Sequence, residues 1–475
     1  MARDYHMLIA GHWVGGGTRR EVKNKYDGSI LGTIPLADAV TIDHAIAAAE
    51  QSFPAMAALP AYQRAGILGK AVDLLQQRRE EIARTIAAEA GKALKFARAE
   101  ADRGIQTFTF AAEEAKRIHG ETVPLDATPA CATHMGFYLR VPVGVVVAIS
   151  PFNFPLNLVA HKVAPALAVG NTVVLKPATT TPLTSVILGE ILVEAGLPAG
   201  ALNIIFGDGR TVGDQLVTDP RPAKVTFTGS PPVGRHIMSR AGLKKVTLEL
   251  GNSSPTIIDH DADLTVAVPK CVVGSFYNSG QVCLSVQRIY VQRSIEKEFT
   301  ERFVSATAAL KVGDPLDEEC DVGPMIDESE AIRAEAWIQE AVGEGARVLA
   351  GGKREGALLH PTVLANVTQA MKVVCSEVFA PVVSIMPFDD FDEALHQAND
   401  TAYGLQAGVF CRDVQKAWRA IKRLDFGGVI INDVPTFRAD HMPYGGVKES
   451  GIGREGVRHA IEEMTHIKMV AFNVA

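Results

Sequence analysis

The sequence predicts an α/β protein with at least two domains, each built around a parallel sheet. From residue 141 onward short apolar strands alternate with helical segments, and a second alternation begins at Thr256 and continues to about residue 443. Apolar strands that alternate with helices form parallel sheets covered on both faces. With 475 residues the chain is too long for one hydrophobic core, so two or more domains are expected.

The segment before the first alternation is predicted to contain short strands followed by helices. Residues 8–36 carry turn signals at Gly15-Gly16-Gly17 and at Asp27-Gly28. Helical periodicity then continues to about residue 118, with one apolar stripe formed by Ile67, Leu68, Ala71, Val72, Leu74 and Leu75. The last helix of this part is predicted over 97–118 and ends at His119-Gly120. Residues 121–140 are predicted to be extended, and alone they would be a surface hairpin.

The elements of the first alternation follow one another at short intervals. The predicted strands are 143–149, 172–176, 202–205, 224–228 and 245–250. The predicted helices are 156–168, 183–196, 211–217 and 231–241. Parallel sheets of this kind bind nucleotides at the carboxyl ends of their strands, so a nucleotide site is expected at that edge.

Composition and charge exclude several classes of protein. The chain is 47% hydrophobic and 21% charged, as expected for a globular protein, and its net charge of −7 disfavours nucleic acid or an anionic membrane as a partner. Its 6 cysteines form no CxxC pair, which predicts a reduced, cytoplasmic protein without disulfides or zinc. The 13 histidines form no metal-binding pattern either, so no metal is expected. The first residues show no signal-peptide pattern, and the apolar run 141–149 is too short to span a bilayer.

The stretch 247–288 holds the two residues with the clearest chemical potential. Cys283 offers a thiol, and a thiol in the right electrostatic field loses its proton near neutral pH and becomes a strong nucleophile. Glu249 lies between apolar residues, which raise a carboxyl pKa towards that of a general base. The simpler alternatives are a buried apolar cysteine and a glutamate on the solvent face of a strand. Burial as a small apolar side chain is the expectation for the other cysteines, Cys131, Cys271, Cys320, Cys375 and Cys411.

Two glycine-rich stretches are candidates for a dinucleotide fingerprint. Residues 451–456 read Gly-Ile-Gly-Arg-Glu-Gly, a formal GxGxxG, but a loop rather than a strand is expected before them, so the fingerprint is rejected. The stretch with Gly207, Gly209 and Gly213 follows a predicted strand and opens a helix, but it is one residue too long.

Seven motifs, in order along nearly the whole chain, resemble those of the aldehyde dehydrogenase superfamily. They are Ser-Pro-Phe-Asn-Phe-Pro at 150–155, Leu-Lys-Pro-Ala at 175–178, Phe-Thr-Gly-Ser at 227–230, Leu-Glu-Leu-Gly at 248–251, Gly-Gln-Val-Cys at 280–283, Glu-Val-Phe-Ala-Pro at 377–381 and Pro-Tyr-Gly-Gly-Val-Lys-Glu-Ser-Gly at 443–451. The resemblance implies a Rossmann-like cofactor domain, a second α/β catalytic domain and a small β oligomerisation arm. The domains are expected at 1–120 with 141–250, at 251–443, and at 121–140 with 457–475.

The resemblance also implies the chemistry. Cys283 would attack the aldehyde carbonyl, and the Asn153 side chain with the Cys283 backbone N–H would stabilise the oxyanion. Glu249 would then activate the water that hydrolyses the thioester. Without the motif, Asn153 would be a turn residue. A coenzyme A-dependent enzyme would lack Glu249, and an inactive homologue with a structural role is the remaining alternative.

The cofactor implied by the resemblance is NAD or NADP. Lys176 would contact the adenosine ribose, Ser230 would bind pyrophosphate at a helix N-terminus, Glu377 would bind the nicotinamide ribose, and Phe379 would pack near the nicotinamide. Without the motifs, Lys176 would be a surface charge and Ser230 a helix cap. The remaining residues expected at the cofactor are Ser150, Pro151, Phe152, Thr179, Gly209, Arg210, Gly213, Phe227, Gly229, Val233 and Leu250.

Position 179 bears on the choice between the two cofactors. Relatives that use only NAD often carry a glutamate there, which would repel a 2′-phosphate, whereas this chain has Thr179. A neutral hydroxyl tolerates a phosphate and can donate to it, and Lys176 and Arg210 are expected nearby. NADP is therefore expected to be accepted.

The substrate pocket implied by the resemblance carries two arginines. Arg103 and Arg438 are expected at its mouth with Phe154, Leu158, His161 and Val282. Paired guanidiniums suit a carboxylate, phosphate or sulfonate, so a small polar or anionic aldehyde is expected, of the lactaldehyde, succinic semialdehyde or glyceraldehyde 3-phosphate type. Val282 stands where phosphate-binding relatives have an arginine, which disfavours a phosphate. The alternatives are a structural ion pair, such as Arg438 with Asp440, and an apolar or aromatic aldehyde used with NAD.

The partner expected besides a small-molecule aldehyde is a second copy of the chain. The resemblance assigns 121–140 and the last strand, near 466–475, to an arm that pairs with another subunit. An unpaired edge strand is a liability, so a homodimer or homotetramer is expected.

Overall fold

Two large sheets organise the computed structural model, which describes residues 3–475. The first sheet has eight strands, and five neighbouring strands in it are parallel. In spatial order its strands are Gly451–Ile452, Lys245–Glu249, Lys224–Thr228, Val145–Ile149, Thr172–Lys176, Leu202–Ile204, Met7–Ile9 and His12–Val14. The five parallel strands are those predicted from the alternation, and their carboxyl ends meet at one edge.

The second sheet has seven strands and is parallel except at one edge. In spatial order they are Arg347–Ala350, Thr362–Ala365, Val382–Phe388, Val286–Gln292, Ser254–Ile258, Gln406–Phe410 and Gly428–Ile431. Apolar clusters cover both of its faces, one around Tyr290 and Val409 and the other around Phe299 and Phe303. The α/β class with two parallel sheets is therefore confirmed.

Three smaller sheets complete the fold. One three-stranded antiparallel sheet contains Thr465–Asn473, His134–Pro142 and Thr122–Val123, with His134 opposite Asn473 and Pro142 opposite Thr465. The other two consist of Arg3–Asp4, Ile30–Pro35 and Arg19–Lys23, and of the ribbon Arg354–Glu355 and Leu358–Leu359.

Helices cover the faces of both large sheets. The α-helices are Ala39–Ala58, Ala61–Gln77, Arg79–Ala90, Leu94–Glu114, Asn157–Ala168, Leu183–Glu194, Asp214–Thr218, Pro231–Arg240, Leu264–Phe276, Arg293–Ala308, Glu328–Gly343, Lys372–Cys375, Phe391–Asn399, Val414–Arg423 and Val457–Glu463. The 3₁₀ turns are Leu125–Ala127, Pro129–Cys131, Tyr277–Gly280 and Lys448–Ser450, and a π turn occupies Gly209–Gly213. Over the described residues, no helix is both long and apolar enough to cross a membrane.

The structure differs from the predicted elements at three places. The helix expected at 97–118 is Leu94–Glu114, and the helix expected at 211–217 begins as the π turn. The helix Val457–Glu463, which was expected in the arm, packs on Asn157–Ala168, and its Val457 and Ile461 belong to the core of the first sheet. Only Thr465–Asn473 from this end of the chain joins the arm sheet, because the preceding helix has an apolar face that needs burial.

The cysteines other than Cys283 divide into two groups. Cys271, Cys320 and Cys411 are buried as expected, but Cys131 is only partly buried and Cys375 is exposed. Cys131 lies in a short turn of the arm and Cys375 ends a one-turn helix, so neither reaches a core.

Candidate active site at the junction of the two sheets

A strained loop carries Cys283 to the junction of the sheets. Between the helix Leu264–Phe276 and the strand Val286–Gln292, Asn278 and Ser279 adopt φ of 50° and 56°, and Gly280 follows with φ of 68°. Left-handed non-glycine residues are costly and cluster at functional sites. A Cβ added to Gly280 would lie 2.0 Å from the carbonyl oxygen of Ala380, so only glycine lets the loop pack on that backbone.

Cys283 is half-buried and contacts a phenol. Its Sγ lies 3.2 Å from the hydroxyl of Tyr444, a residue 161 positions away in the chain. Burial raises the pKa of Cys283 to about 11, although the Tyr444 hydrogen bond acts to lower it. The charges of Glu377 and Glu249 raise this pKa and that of Arg438 lowers it. Burial therefore opposes ionisation of this thiol, and the Tyr444 hydrogen bond and the Arg438 charge favour it.

Asn153 is held against the loop that carries Cys283. Its Nδ2 donates to the carbonyl oxygen of Gln281 at 2.8 Å, and its Oδ1 is buried without a partner. Asn278 Nδ2 donates to the Asn153 carbonyl oxygen at 3.2 Å. One amide hydrogen of Asn153 remains free, and within residues 3–475 the backbone N–H of Cys283 donates to no acceptor. Two donors are thus left unpaired beside the thiol.

Glu249 ends the strand Lys245–Glu249 and is only 3% exposed. Neither carboxyl oxygen has a hydrogen-bond partner among the described residues. Burial raises the pKa of Glu249 well above its usual value, the negative charge of Glu455 adds to this, and Arg438 and Lys162 oppose it. The Tyr444–Gly445 segment covers this end of the strand: a Cβ added to Gly445 would lie 3.0 Å from Glu249 Oε1. The alternative of a solvent-facing strand residue is therefore wrong.

Behind Glu249 lies a buried ion-pair network that the sequence motifs do not single out. Lys162 donates to Glu455 Oε1 at 2.8 Å and to the Thr228 hydroxyl at 2.7 Å, and Arg438 donates to Glu455 Oε2 at 3.2 Å. Lys162 is completely buried and Glu455 is 2% exposed. Burial acts to raise the pKa of Glu455, but the surrounding cations lower it to about 2, so this group is an anion. Its only sequence signal is the rejected glycine-rich stretch, in which it is the fifth residue.

Both predicted arginines form ion pairs, as the structural alternative allowed, but Arg438 does not pair with the Asp440 named there. Arg103 donates to both oxygens of Asp440, from Nε at 3.1 Å and from Nη2 at 2.8 Å. Arg438 pairs with Glu455 rather than Asp440, because its guanidinium stacks on the Tyr444 ring, 3.6 Å from the ring centroid. The Nε of Arg438 is buried without a partner. An unpaired buried guanidinium N–H is rare and costly, so it marks a place for an acceptor.

Asp440 also accepts hydrogen bonds from two further buried side chains, His161 and Asn157. His161 Nε2 lies 2.9 Å from Asp440 Oδ1, and Asn157 Nδ2 donates to the same oxygen at 3.0 Å. Burial lowers the pKa of His161 below its usual value. The apolar part of the pocket is one cluster of buried side chains that includes Phe154, Leu158, Val282, Leu284, Leu405 and Tyr444.

A cleft of about 750 Å³ lies in front of Cys283. Ten of the predicted site residues line it, namely Pro151, Phe152, Asn153, Leu158, Gly229, Ser230, Leu250, Cys283, Glu377 and Phe379. One wall was not predicted, because its residues carry no recognised motif: Asp327, Glu330, Arg333 and Trp337, at and within the helix Glu328–Gly343. Arg333 donates to the Val378 carbonyl oxygen at 2.7 Å and so connects this helix to the segment that holds Glu377.

Glu377 and Phe379 close the cleft near the thiol. Glu377 Oε1 accepts from the Asn252 backbone N–H at 2.9 Å, and burial raises the pKa of Glu377 to about 7. A Cβ added to Gly251 would lie 2.4 Å from Glu377 Oε2, which explains the glycine beside the Glu249 strand. Phe379 has φ of 51° and meets Phe152 edge to face at 5.9 Å between ring centroids.

Lys176 ends the strand Thr172–Lys176, two residues before Ala178, which lines the cleft. It is only 5% exposed, so the surface-charge alternative is wrong. Burial lowers its pKa to about 8, and its only hydrogen bond within the described residues is a long one, 3.4 Å to the Pro177 carbonyl oxygen. A Cβ on Gly213 would lie 4.0 Å from Lys176 Cε, so the Gly209–Gly213 turn packs beside the lysine. The Arg210 side chain on that turn is exposed.

Two cofactor expectations need correction. Thr179 Oγ1 donates to the Gly207 carbonyl oxygen at 2.7 Å, so its single hydroxyl hydrogen is not free for a phosphate. Ser230 does precede the helix Pro231–Arg240, but its side chain makes no cap bond, and Pro231 and Pro232 occupy the first two positions. Because proline has no N–H, two of the helix-end donors expected for pyrophosphate are missing.

The other predicted cofactor residues lie around this region. Phe227 is buried, and a Cβ on Gly229 would lie 2.4 Å from its ring. The Ser150 hydroxyl is buried without a partner, whereas Val233 is 43% exposed. The rejected fingerprint contributes the strand Gly451–Ile452, antiparallel to Lys245–Glu249, and not a turn after a parallel strand.

A parallel sheet with a cleft at the carboxyl ends of its strands, a thiol and an unpaired buried carboxylate define a nucleotide-dependent enzyme with a covalent mechanism. The Lys176 ammonium has one long hydrogen bond, and the buried Ser150 hydroxyl has no partner within residues 3–475, so both fit a ligand with hydroxyl and phosphate groups. The model of the aldehyde dehydrogenase family matches residues 13–470, and the chain belongs to that family. It is an NAD(P)-dependent aldehyde oxidoreductase.

Three members of the family illustrate which proteins this chain is similar to. The 3-sulfolactaldehyde dehydrogenase of Priestia aryabhattai is 47% identical over 472 residues, which cover 99% of this chain and 98% of that protein. Aldehyde dehydrogenase 21 from Physcomitrella patens, solved with the reaction product succinate, has a TM-score of 0.98 and 44% identity. The match covers 100% of this chain and 99% of the Physcomitrella chain. Glyceraldehyde-3-phosphate dehydrogenase GapN from Methanocaldococcus jannaschii, solved with NADP, has a TM-score of 0.93 and 41% identity. The match covers 97% of this chain and 100% of the GapN chain.

Proposed function

We propose that the chain oxidises a short aldehyde with an anionic group at its far end to the corresponding acid, and that it accepts NADP. The observation that carries the proposal is the buried Nε of Arg438, which has no partner among the described residues. Arg438 lies over the ring of Tyr444 and Arg103 over the ring of Phe154, and both rings belong to the apolar cluster that Cys283 contacts. Arg103 keeps one nitrogen, Nη1, outside its two bonds to Asp440. A carboxylate or sulfonate would complete the hydrogen bonding of both groups.

The relatives support this class of substrate. The Priestia relative is named for 3-sulfolactaldehyde, which carries a sulfonate, and the Physcomitrella relative was solved with succinate, a dicarboxylate. Val282 stands beside the nucleophile in an apolar cluster, where it adds no cation for a doubly charged phosphate. Sulfonate and carboxylate aldehydes, of the sulfolactaldehyde and succinic semialdehyde type, are therefore favoured over glyceraldehyde 3-phosphate.

The bond-making steps follow from the geometry around Cys283. Its thiolate attacks the aldehyde carbon, and the free Asn153 amide hydrogen and the Cys283 backbone N–H donate hydrogen bonds to the developing oxyanion. Each such donor contributes about 3–4 kcal/mol to transition-state stabilisation. When bound, the oxidised nicotinamide supplies the hydride acceptor. The product of this stage is a thioester on Cys283.

Glu249 carries out the hydrolytic stage. Its carboxylate removes a proton from water, the hydroxide adds to the thioester carbon, and the C–S bond breaks with its electron pair on sulfur. The raised pKa of Glu249 makes it a stronger base than an ordinary carboxylate.

The cofactor is assigned to the cleft between Lys176 and Glu377. Lys176 would bind the adenosine ribose and its phosphate, and Glu377 would hold the nicotinamide ribose with Phe379 against the ring. Because Pro231 and Pro232 provide no N–H groups, the Ser230 hydroxyl would carry the pyrophosphate contact at that helix. The absence of a carboxylate at Thr179 supports acceptance of NADP, as does the NADP bound to the Methanocaldococcus relative.

The domain roles and the assembly follow the same line. The first sheet would bind the cofactor, the second sheet would carry the catalytic loop, and the arm sheet would pair with another copy of the chain. The strand Thr465–Asn473 supports that pairing, since it is an edge strand with Ile467, Met469 and Phe472 exposed. A cytoplasmic location remains a proposal from the free cysteines.

The test compares matched aldehydes rather than absolute rates. Initial rates with succinic semialdehyde and with butanal, which differ in the terminal carboxylate, give a ratio of kcat/KM for each cofactor. The wild-type protein is expected to favour the anionic aldehyde, and Arg103→Gln is expected to reduce that ratio by at least about tenfold. Because each variant serves as its own control through butanal, a general loss of folding leaves the ratio unchanged. A preference for butanal in the wild type would exclude the anionic substrate, and an unchanged ratio in Arg103→Gln would exclude Arg103 as the group that recognises it.

A further inference from the structure

Tyr444 lies in a motif that served only to identify the family, yet its hydroxyl is 3.2 Å from the sulfur of Cys283. Tyr444 is 3% exposed and belongs to the same apolar cluster as Val282 and Leu158. Among the described residues, the phenol is the only side chain that forms a hydrogen bond with this thiol. It therefore touches the atom at which the proposed chemistry begins.

The phenol is held from behind by a cation. The Arg438 guanidinium carbon lies 3.6 Å from the centroid of the Tyr444 ring, and Arg438 is fixed by its ion pair with Glu455. The Tyr444 backbone N–H donates to the Glu455 carbonyl oxygen at 3.0 Å, and the Glu455 N–H donates back at 2.7 Å. A positive charge over the ring makes the O–H a better donor, because it draws electron density from the oxygen.

We propose that Tyr444 is a further catalytic residue, whose hydroxyl donates a hydrogen bond to the Cys283 thiolate while Arg438 holds and polarises the phenol. This proposal rests on the proposed function, in which Cys283 is the nucleophile. The hydroxyl acts twice. It stabilises the thiolate before attack, and it stabilises the same thiolate when the C–S bond of the thioester breaks and the electron pair returns to sulfur. No proton leaves Tyr444 in either step.

The need for such a donor follows from the surroundings of the sulfur. Glu249 and Glu377 both face Cys283 and disfavour a negative charge there, and Arg438 acts on the sulfur through the intervening ring. Burial removes water that would otherwise solvate a thiolate. A single charge-assisted hydrogen bond in a buried site has a large effect on ionisation, corresponding to about 10- to 100-fold in the thiolate fraction.

The experiment measures the ionisation of Cys283 directly through its alkylation. The rate at which iodoacetamide abolishes aldehyde oxidation is followed against pH in the free enzyme, with Cys283→Ser identifying the modified residue by mass spectrometry. In Tyr444→Phe, which retains the ring under Arg438, the alkylation midpoint is expected to move to higher pH. At a fixed pH below the midpoint, alkylation is expected to slow by about 10- to 100-fold. Tyr277→Phe is the matched control, because it removes a hydroxyl from the same apolar cluster that forms no hydrogen bond to Cys283.

A second substitution tests the proposal without removing the hydroxyl. Replacing Tyr444 with 3-fluorotyrosine makes the phenol a stronger donor and should move the midpoint to lower pH. An unchanged midpoint in Tyr444→Phe, or an equal shift in Tyr277→Phe, would overturn the role of Tyr444 while the proposed function stands. If alkylation of Cys283 leaves aldehyde oxidation intact, the proposed function fails and the role of Tyr444 with it.

Discussion

Glu249 and Cys283 must both lose a proton to act, and burial opposes both losses. The pKa of Cys283 is raised to about 11 and that of Glu249 is raised well above its usual value, in each case with burial as the largest cause. Since the deprotonated forms are the active ones, kcat/KM should increase as pH rises from about 6 to about 9, rather than level off at neutrality.

Glu455→Gln tests the electrostatic part of this profile. The variant removes the anion that raises the pKa of Glu249 and leaves Lys162 and Arg438, which lower it. The rate constant of thioester hydrolysis, measured against pH in single turnovers, should therefore begin to rise at a lower pH than in the wild type. A move to higher pH would contradict the coupling between these two carboxylates.

Glu249→Gln separates the two stages of the proposed mechanism. The amide cannot take a proton from water, so thioester hydrolysis should slow by about 10²–10⁴-fold while the first hydride transfer is retained. Rapid mixing should then show one equivalent of reduced cofactor per site, followed by a slow steady state. Loss of the burst together with turnover would show that Glu249 is needed earlier. Glu194→Gln, at the exposed end of the helix Leu183–Glu194, provides the control.

Thr179→Glu tests the basis for NADP acceptance. Thr179 lies beside the Gly207 carbonyl oxygen near Lys176, and a carboxylate there would repel a 2′-phosphate. The ratio of kcat/KM for NADP to that for NAD should fall by at least about tenfold, which corresponds to about 1.4 kcal/mol. Thr179→Gln has a similar size without the charge, and an equal fall in that variant would show that bulk, not charge, decides the preference.

At the scale of elements, a buried side chain from another helix accepts hydrogen bonds from the N-terminal N–H groups of a helix that has no capping residue of its own. The helix Leu183–Glu194 begins after Pro182, which provides no side-chain cap. Glu89, from the helix Arg79–Ala90, accepts hydrogen bonds from the backbone N–H groups of Leu183 at 2.7 Å and Thr184 at 3.0 Å. A residue 94 positions earlier in the chain thus caps this helix, which no local pattern indicates.

Glu89→Ala should destabilise the protein by about 1–3 kcal/mol, because two buried N–H groups lose their acceptor. Burial raises the pKa of Glu89 to about 7 in the folded state. Between the pKa of the unfolded chain and this value, the folded state binds more protons than the unfolded state, so the contribution of Glu89 to stability falls as pH rises. The stability difference between wild type and Glu89→Ala should therefore be larger at pH 6 than at pH 8. Urea unfolding at both pH values measures it, and Glu194→Ala at the exposed end of the capped helix serves as the control.

At the scale of the whole molecule, the arm sheet leaves an apolar edge uncovered. Ile467 and Met469 are 61% and 45% exposed on the edge strand Thr465–Asn473. Met469→Glu places a charge in the proposed subunit contact and should convert the assembly to monomers in sedimentation experiments. Lys468→Glu, on the other face of the same strand, is the matched control. An unchanged mass for Met469→Glu would locate the subunit contact elsewhere.

The parallel arrangement of the first sheet was predictable from sequence because short strands with apolar residues alternate with helices that follow within a few residues. The strands Thr172–Lys176 and Lys224–Thr228 occur as predicted. The boundary of the arm was not predictable, because the helix Val457–Glu463 finds its apolar partner, the helix Asn157–Ala168, about 300 residues earlier in the chain.

The sequence by itself determined the α/β class, the family motifs, and Cys283, Glu249 and Asn153 as candidate groups, because local periodicity and residue type carry that information. Only the tertiary structure decided which cation meets which anion: Arg103 with Asp440, and Arg438 with Glu455 and the ring of Tyr444. These contacts join residues from different sheets and loops, and their stability depends on burial that exists only in the folded chain. For the same reason the hydroxyl beside the Cys283 sulfur could not be inferred from its motif.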